Sequence, residues 1–185
     1  KAIRRQRQMC IRDSAKGVDL PLVLYNVPGR TGVSIQPETI KRIVDGCPNV
    51  VGIKDATGNW DQVTKEKALL PEDFMIYSGD DAFTLPVLLA GGVGIISVSS
   101  HVIGDDMLAM VDAFENGDLE KARALHLKMY EINKGMFFTA SPTPVKTATN
   151  LIGQPGGHFR LPMVEPTEAE KAKVRQMLEN YGGLL

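Results

Sequence analysis

Four short, almost unbroken apolar runs recur through the first hundred positions, and a segment with helical spacing follows each. The runs are Leu20 to Pro28, Asn49 to Asp55, Phe74 to Gly79 and Gly94 to Ser99. A strand wetted on one face alternates polar and apolar residues, whereas a strand in a helix-covered parallel sheet reads as continuous Val, Ile and Leu. Between the runs, Gln36 to Asp45 has Pro37 at a helix start and Ile40, Ile43 and Val44 on one face; Asn59 to Leu70 and Ala82 to Leu89 supply two more helices. The alternation predicts a parallel sheet covered by helices. Four such units suit either an open doubly wound sheet or half of an eight-stranded barrel of about 250 residues. No GxGxxG or GxxxxGK[ST] loop is present, and Gly91-Gly92-Val93-Gly94 precedes a strand instead of leading into a helix, which makes it a tight turn. The half-barrel is therefore the predicted architecture.

After Ser100 the pattern is helical to the end. Asp105 to Asn116 stops at Gly117, Asp118 opens a helix to about Lys134, Pro144 begins another through Leu151, and Thr167-Glu168-Ala169-Glu170 caps a last one ending at Tyr181. The predicted organisation is a basic extension over 1–16, a partial barrel over 17–103 and a helical subdomain over 104–185. Residues 1 to 14 are basic with little apolar periodicity; such a run reads as a solvated helix face or a non-native extension before it reads as a nucleic-acid arm.

Composition excludes several classes. With 43% hydrophobic and 23% charged residues the chain is globular, and a net charge of −1 gives no footprint for nucleic acid or an anionic membrane. No apolar run approaches the length of a membrane span. Cys10 and Cys47 form no CxxC pair, and His101, His126 and His158 show no ligand spacing, so neither a disulfide framework nor a metal is expected, and a reducing cytoplasm fits best.

The candidate chemistry gathers at the carboxy ends of the predicted strands: Tyr25 and Asn26, Lys54 and Asp55, Gly79 and Asp80, and Ser97 to Ser100. In a βα barrel those ends share one face, where such enzymes place their sites. Lys54 is the central residue. An ammonium at the end of Val50-Val51-Gly52-Ile53 is partly desolvated, which favours the neutral amine that a Schiff-base nucleophile requires. A strand-end lysine can also extend its head into water, Tyr25 can be a core tyrosine, and Arg30 can be a carboxylate clamp or a loop residue.

Five motifs in order carry a resemblance: Tyr-Asn-Val-Pro-Gly-Arg-Thr (25–31), Gly-Ile-Lys-Asp-Ala-Thr-Gly (52–58), Ser-Gly-Asp-Asp (78–81), Gly-Gly-Val-Gly-Ile-Ile-Ser-Val (91–98) and Pro-Thr-Pro-Val-Lys (142–146). Over about residues 17 to 185 the chain resembles the dihydrodipicolinate synthase family, within the pyruvate-dependent class I aldolases that include N-acetylneuraminate lyase. The resemblance implies the carboxy-terminal half of a TIM (β/α)8 barrel followed by an all-helical subdomain. It implies that Lys54 condenses with pyruvate, that Tyr25 relays protons, that Arg30 pairs with the carboxylate of aspartate semialdehyde, and that the backbone at Gly79 and Ile96 lines the pyruvate pocket. The product would be hydroxy-tetrahydrodipicolinate, on the route to diaminopimelate and lysine. No dissociable cofactor is implied, and full-length members are homotetramers. Lys146, at a Pro-rich helix start, reads as structural.

The family's amino-terminal strands, including its Gly-Thr-Thr-Gly-Glu motif, the tyrosine supplied across the dimer interface and the lysine feedback residues, have no counterpart here. A half-barrel leaves two apolar sheet edges unpaired, so the expectation is a self-associating fragment with poor or no turnover. The alternatives are another pyruvate aldolase, acting on a sugar acid or hydroxyproline derivative, and a catalytically silent small-molecule binding module. Arg30 weighs against the first and the joint presence of Lys54, Tyr25 and Arg30 against the second.

Overall fold

The structure, a computed structural model, describes residues 2–185, with side chains from Met9 onward. The side chains of residues 1–8, on which most of the basic-arm reading rests, lie outside the described residues. The chain forms two compact units, up to Ile96 and from Ser97; the sequence reading divides barrel from helices at 103/104.

In the first unit, β1 (Leu22–Asn26), β2 (Val50–Asp55), β3 (Met75–Ser78) and β4 (Gly94–Ile95) form one parallel sheet in the order β1-β2-β3-β4. Sequential order with no reversal belongs to a barrel, whereas a doubly wound sheet reverses at a switch point. Burial supports the same conclusion. Leu24, Ile53 and Ile76 are adjacent in register and buried, together with Ile40 and Ile43 of α3 (Pro37–Val44), Val63 of α4 (Trp60–Leu69) and Val87 of α5 (Thr84–Leu89). The other face carries Val23, Gly52 and Met75 in one row and Tyr25, Lys54, Tyr77 and Gly94 in the next. Among the described residues nothing of this unit covers that face, and Val23 and Tyr25 are 42% and 48% exposed. Among the described residues, the helices of this unit thus pack on one side only.

Three differences from the sequence reading have local causes. The Pro28-Gly29 turn is a one-turn helix, α2 (Pro28–Thr31), started by Pro28 and closed at Gly32 in the left-handed region. The fourth strand is two residues long instead of six: Ile96 still donates its N–H to the Ser78 carbonyl, and then the Ser97 hydroxyl accepts the Ser100 N–H and turns the chain into a helix. The basic segment forms α1 (Ala2–Lys16), which packs on α3 and whose last turn brings Ala15 into the core with Ile11 against it. Asn49 ties that end down by donating its amide to the Ala15, Val18 and Leu20 carbonyls. Among the described residues of α1, Ile11 and Ala15 make the contact with the core. Gly92 does make the tight turn expected of it, since a Cβ there would lie 2.5 Å from Val87 Cγ1 and 2.8 Å from the Ile76 carbonyl oxygen.

The second unit is helical: α6 (Ser100–Glu115), α7 (Leu119–Gly135), α8 (Thr143–Leu151) and α9 (Glu168–Tyr181). Gly117, at φ +79°, follows α6, and the Asp118 carboxylate accepts the Lys121 N–H at the start of α7. Thr167 and Glu170 form a reciprocal capping box on α9. Met107, Met110, Met129, Ile132, Met136, Val174 and Leu178 are buried within this unit. No helix among the described residues is long and apolar enough to cross a membrane.

Candidate active site

Parallel pairing places Tyr25 of β1 beside Lys54 of β2, and Lys54 beside Tyr77 of β3. All three side chains leave the sheet on its uncovered face. The Lys54 Nζ lies 4.5 Å from the centroid of the Tyr25 ring, a separation at which the ring's negative face attracts a cation and the lysine is held near the phenol. Partial burial lowers the Lys54 pKa; the Asp81 carboxylate opposes that shift and the positive charge of Arg30 adds to it. The net direction favours the free amine. Arg30 itself stands on α2, just beyond β1, and is exposed.

Gly79 closes the site from β3. A Cβ at this position would lie 2.8 Å from Ala56 Cβ, 3.0 Å from Lys54 Cγ and 3.1 Å from the Asp55 carbonyl oxygen, so the lysine stem runs over bare backbone. The Gly79 N–H donates to that carbonyl at 2.6 Å. Ile96 stands one residue beyond β4, bonded to Ser78 and 43% exposed. The strand ends therefore bring Tyr25, Lys54 and Gly79 into direct proximity, with Arg30 near enough for its charge to act on Lys54. Lys146 lies in the other unit, donating to the His158 carbonyl at 2.6 Å and sitting over the Phe159 ring.

Beneath this layer, on the helix-covered face, lies a polar cluster that sequence reading does not anticipate as a unit. Asn26 and Asp55 are each 1% exposed and Glu66 is fully buried. Asn26 brackets Ile35, accepting its N–H at 3.0 Å and donating to its carbonyl at 3.2 Å. Asp55 accepts the Thr57 N–H at 3.0 Å and its hydroxyl at 2.6 Å. Gln62 donates to both Glu66 Oε1 and the Ile35 carbonyl, at 2.9 Å each. Burial raises the pKa of both carboxyls; the Glu66 carboxyl, further opposed by the charge of Asp55, is pushed up to about 8. One signal in the sequence does point to Glu66. The spacing Val63, Glu66, Leu70 sets it on the inward stripe of α4, where an apolar residue is the default. Tyr77 could have been found from strand parity, two residues along from Met75 and facing as Lys54 does.

A model of the Dihydrodipicolinate synthetase family matches residues 11–181. The chain belongs to the dihydrodipicolinate synthase family. The match begins inside the 1–16 segment read from sequence as an extension. The chain is 47% identical over 168 residues to the 4-hydroxy-tetrahydrodipicolinate synthase of Heliobacterium modesticaldum, covering 91% of this chain and 56% of that protein. Against the enzyme of the same name from Synechococcus elongatus it is 49% identical over 160 residues, covering 86% and 52%. It thus spans about half the length of these curated relatives. Among solved structures, the dihydrodipicolinate synthase of Thermotoga maritima superposes with a TM-score of 0.90 at 40% identity, covering 96% of this chain and 61% of that one. A structure described as the first monomeric dihydrodipicolinate synthase variant gives 0.90 at 39% identity, covering 96% and 60%. With the sequential sheet order, these likenesses identify the fold as the carboxy-terminal half of a TIM (β/α)8 barrel plus the helical subdomain.

Proposed function

We propose that this chain carries the Schiff-base machinery of a lyase that condenses pyruvate with aspartate semialdehyde to give hydroxy-tetrahydrodipicolinate in lysine biosynthesis. The observation carrying the proposal is the Lys54 amine held 4.5 Å from the Tyr25 ring at the carboxy end of β2, with its pKa lowered mainly by burial. The neutral Lys54 amine attacks the pyruvate ketone carbon; the resulting carbinolamine loses water to give a protonated imine, and loss of a methyl proton gives the enamine. The enamine carbon then attacks the aldehyde of the second substrate. Tyr25, adjacent to the nitrogen, moves protons to and from the carbinolamine oxygen. Arg30 pairs with the semialdehyde carboxylate, a match for its planar fork, and the backbone at Gly79 and Ile96 lines the pyruvate pocket. The lysine is the electron sink, so the reading calls for neither metal nor dissociable cofactor. The free thiols of Cys10 and Cys47 fit a reducing cytoplasm, and a homo-oligomer fits the open sheet.

The uncovered face of the sheet favours a second reading for this chain alone, in which the adduct forms without turnover, as in a silent binding module. Trapping distinguishes the outcomes. Protein incubated with pyruvate and borohydride, then analysed by intact mass and peptide mapping, is expected to carry one adduct on Lys54 that is absent without pyruvate and in Lys54→Ala. An adduct at Lys146 would overturn the site, and no adduct in folded protein would make this chain silent.

A further inference from the structure

The buried carboxyls behind Lys54 present a problem of satisfaction. Glu66 Oε1 accepts from Gln62, but its buried Oε2 has no N–H or O–H donor beside it. Glu66 shares its buried cluster with the Asp55 carboxyl, linked to it through Gln62, the Ile35 carbonyl and Asn26, and each carboxyl acts on the other; two carboxyls can bond directly only if a proton lies between them. Asp55 is already committed elsewhere, accepting twice from Thr57 on one oxygen and weakly from Asn26, at 3.5 Å, on the other. The proton therefore belongs to Glu66, as the donor.

We propose that Glu66, carrying this proton, is a positioning residue for the Lys54 amine: it clamps Asp55 and so fixes the end of β2. The clamp reaches both sides of the site. Asp55 follows Lys54 directly, its carbonyl receives Gly79, and its side chain turns the chain after β2 through Thr57. Through Gln62, Ser34 and Ile35 the same network holds the end of the segment between β1 and α3, which carries Arg30. Few other charges compete. α5 has no titratable side chain, Asp81 acts on Lys54, and the charges of α3 lie at the surface, where Glu38 pairs with Lys65, Lys41 with Asp45 and Arg42 bonds Thr39. The 27–36 segment brings only Arg30, which is exposed.

The inference rests on the Schiff-base reading of Lys54, and its test separates the two. Pyruvate trapping on Lys54 is followed from pH 6 to 9.5 in the unaltered protein, Glu66→Gln and Glu66→Leu, with acetic anhydride labelling of Lys54 in parallel as a readout independent of pyruvate. Glutamine can donate to Asp55 as the acid does, so Glu66→Gln is expected within about twofold of the unaltered protein at pH 7, while Glu66→Leu loses about tenfold, the scale of a small misplacement of a reacting group. Above pH 8 the unaltered protein loses its proton and falls behind Glu66→Gln by about fivefold or more, a divergence that a space-filling role for Glu66 would not produce. Folded Glu66→Leu trapping as well as the unaltered protein, or Glu66→Gln as impaired as Glu66→Leu, overturns the proposal. If Glu66→Leu does not fold, the ratio of unaltered protein to Glu66→Gln decides: a flat ratio from pH 6 to 9.5 overturns it. If no pyruvate adduct forms in any variant, the Schiff-base reading fails; the labelling profile of Lys54 then supports the clamp if the unaltered protein and Glu66→Gln diverge above pH 8 and overturns it if they coincide.

Discussion

Replacing Glu66 by glutamine should change how the stability of the sheet unit depends on pH. The carboxyl is pushed up to about 8 in the folded protein from an ordinary value of 4.5. Because the folded state binds this proton more tightly, stability from Glu66 is fully present below pH 4.5 and is lost as pH rises toward 8. At about 1.4 kcal/mol per pH unit, the loss amounts to about 3 kcal/mol by pH 7 and levels off near 5 kcal/mol above pH 8. The buried Asp55 shifts in the same direction and is coupled to Glu66, so the difference between the two proteins reports the pair, with the larger share from Glu66. Glu66→Gln removes the ionisation while keeping a donor, and should lie within about 1 kcal/mol of the unaltered protein at pH 5 yet exceed it by about 2 kcal/mol or more at pH 8. Trp60 is the chain's single tryptophan and starts α4, so its fluorescence reports urea unfolding of this unit. Unaltered and Glu66→Gln midpoints that stay parallel from pH 5 to 8.5 would refute the reasoning.

Other perturbations test neighbouring parts of the argument. Gly79→Ala drives a methyl into Ala56 and the Lys54 stem; it should destabilise by about 1–3 kcal/mol as overpacking does and cut pyruvate trapping at Lys54 well below that of the unaltered protein. Asn26→Ala leaves the half-buried Ile35 N–H and the buried Asp55 carboxylate each short of a partner, and a loss of about 1–3 kcal/mol is expected in Trp60-monitored unfolding. The uncovered sheet face and the edges at β1 and β4 should make the chain self-associate, so light-scattering mass should rise with concentration; a monomer that unfolds in one sharp transition would contradict this. In the helical unit, Thr167→Ala removes one side of the α9 capping box and should cost about 1 kcal/mol by thermal melting.

The sequence by itself determined the strand and helix alternation, the one lysine at the end of an apolar strand, the stop at Gly117 and the cap at Thr167. Each is written in residues within a few positions of one another, because the periods of 2.0 and 3.6, the φ freedom of glycine and a side chain's reach to the N–H three residues on are local physics. Tertiary structure alone decided the rest. Tyr25 and Lys54 are 29 positions apart and meet only because parallel pairing sets them side by side, a register fixed by which faces are buried. The shortness of β4 goes with a turn at Ser97, whose hydroxyl accepts the Ser100 N–H where α6 begins. The placing of Glu66 in one buried cluster with Asp55 depends on how α4 settles on the sheet, and the rise of its pKa depends on being sealed from water there, a property of the packed interior that no single stretch of chain contains.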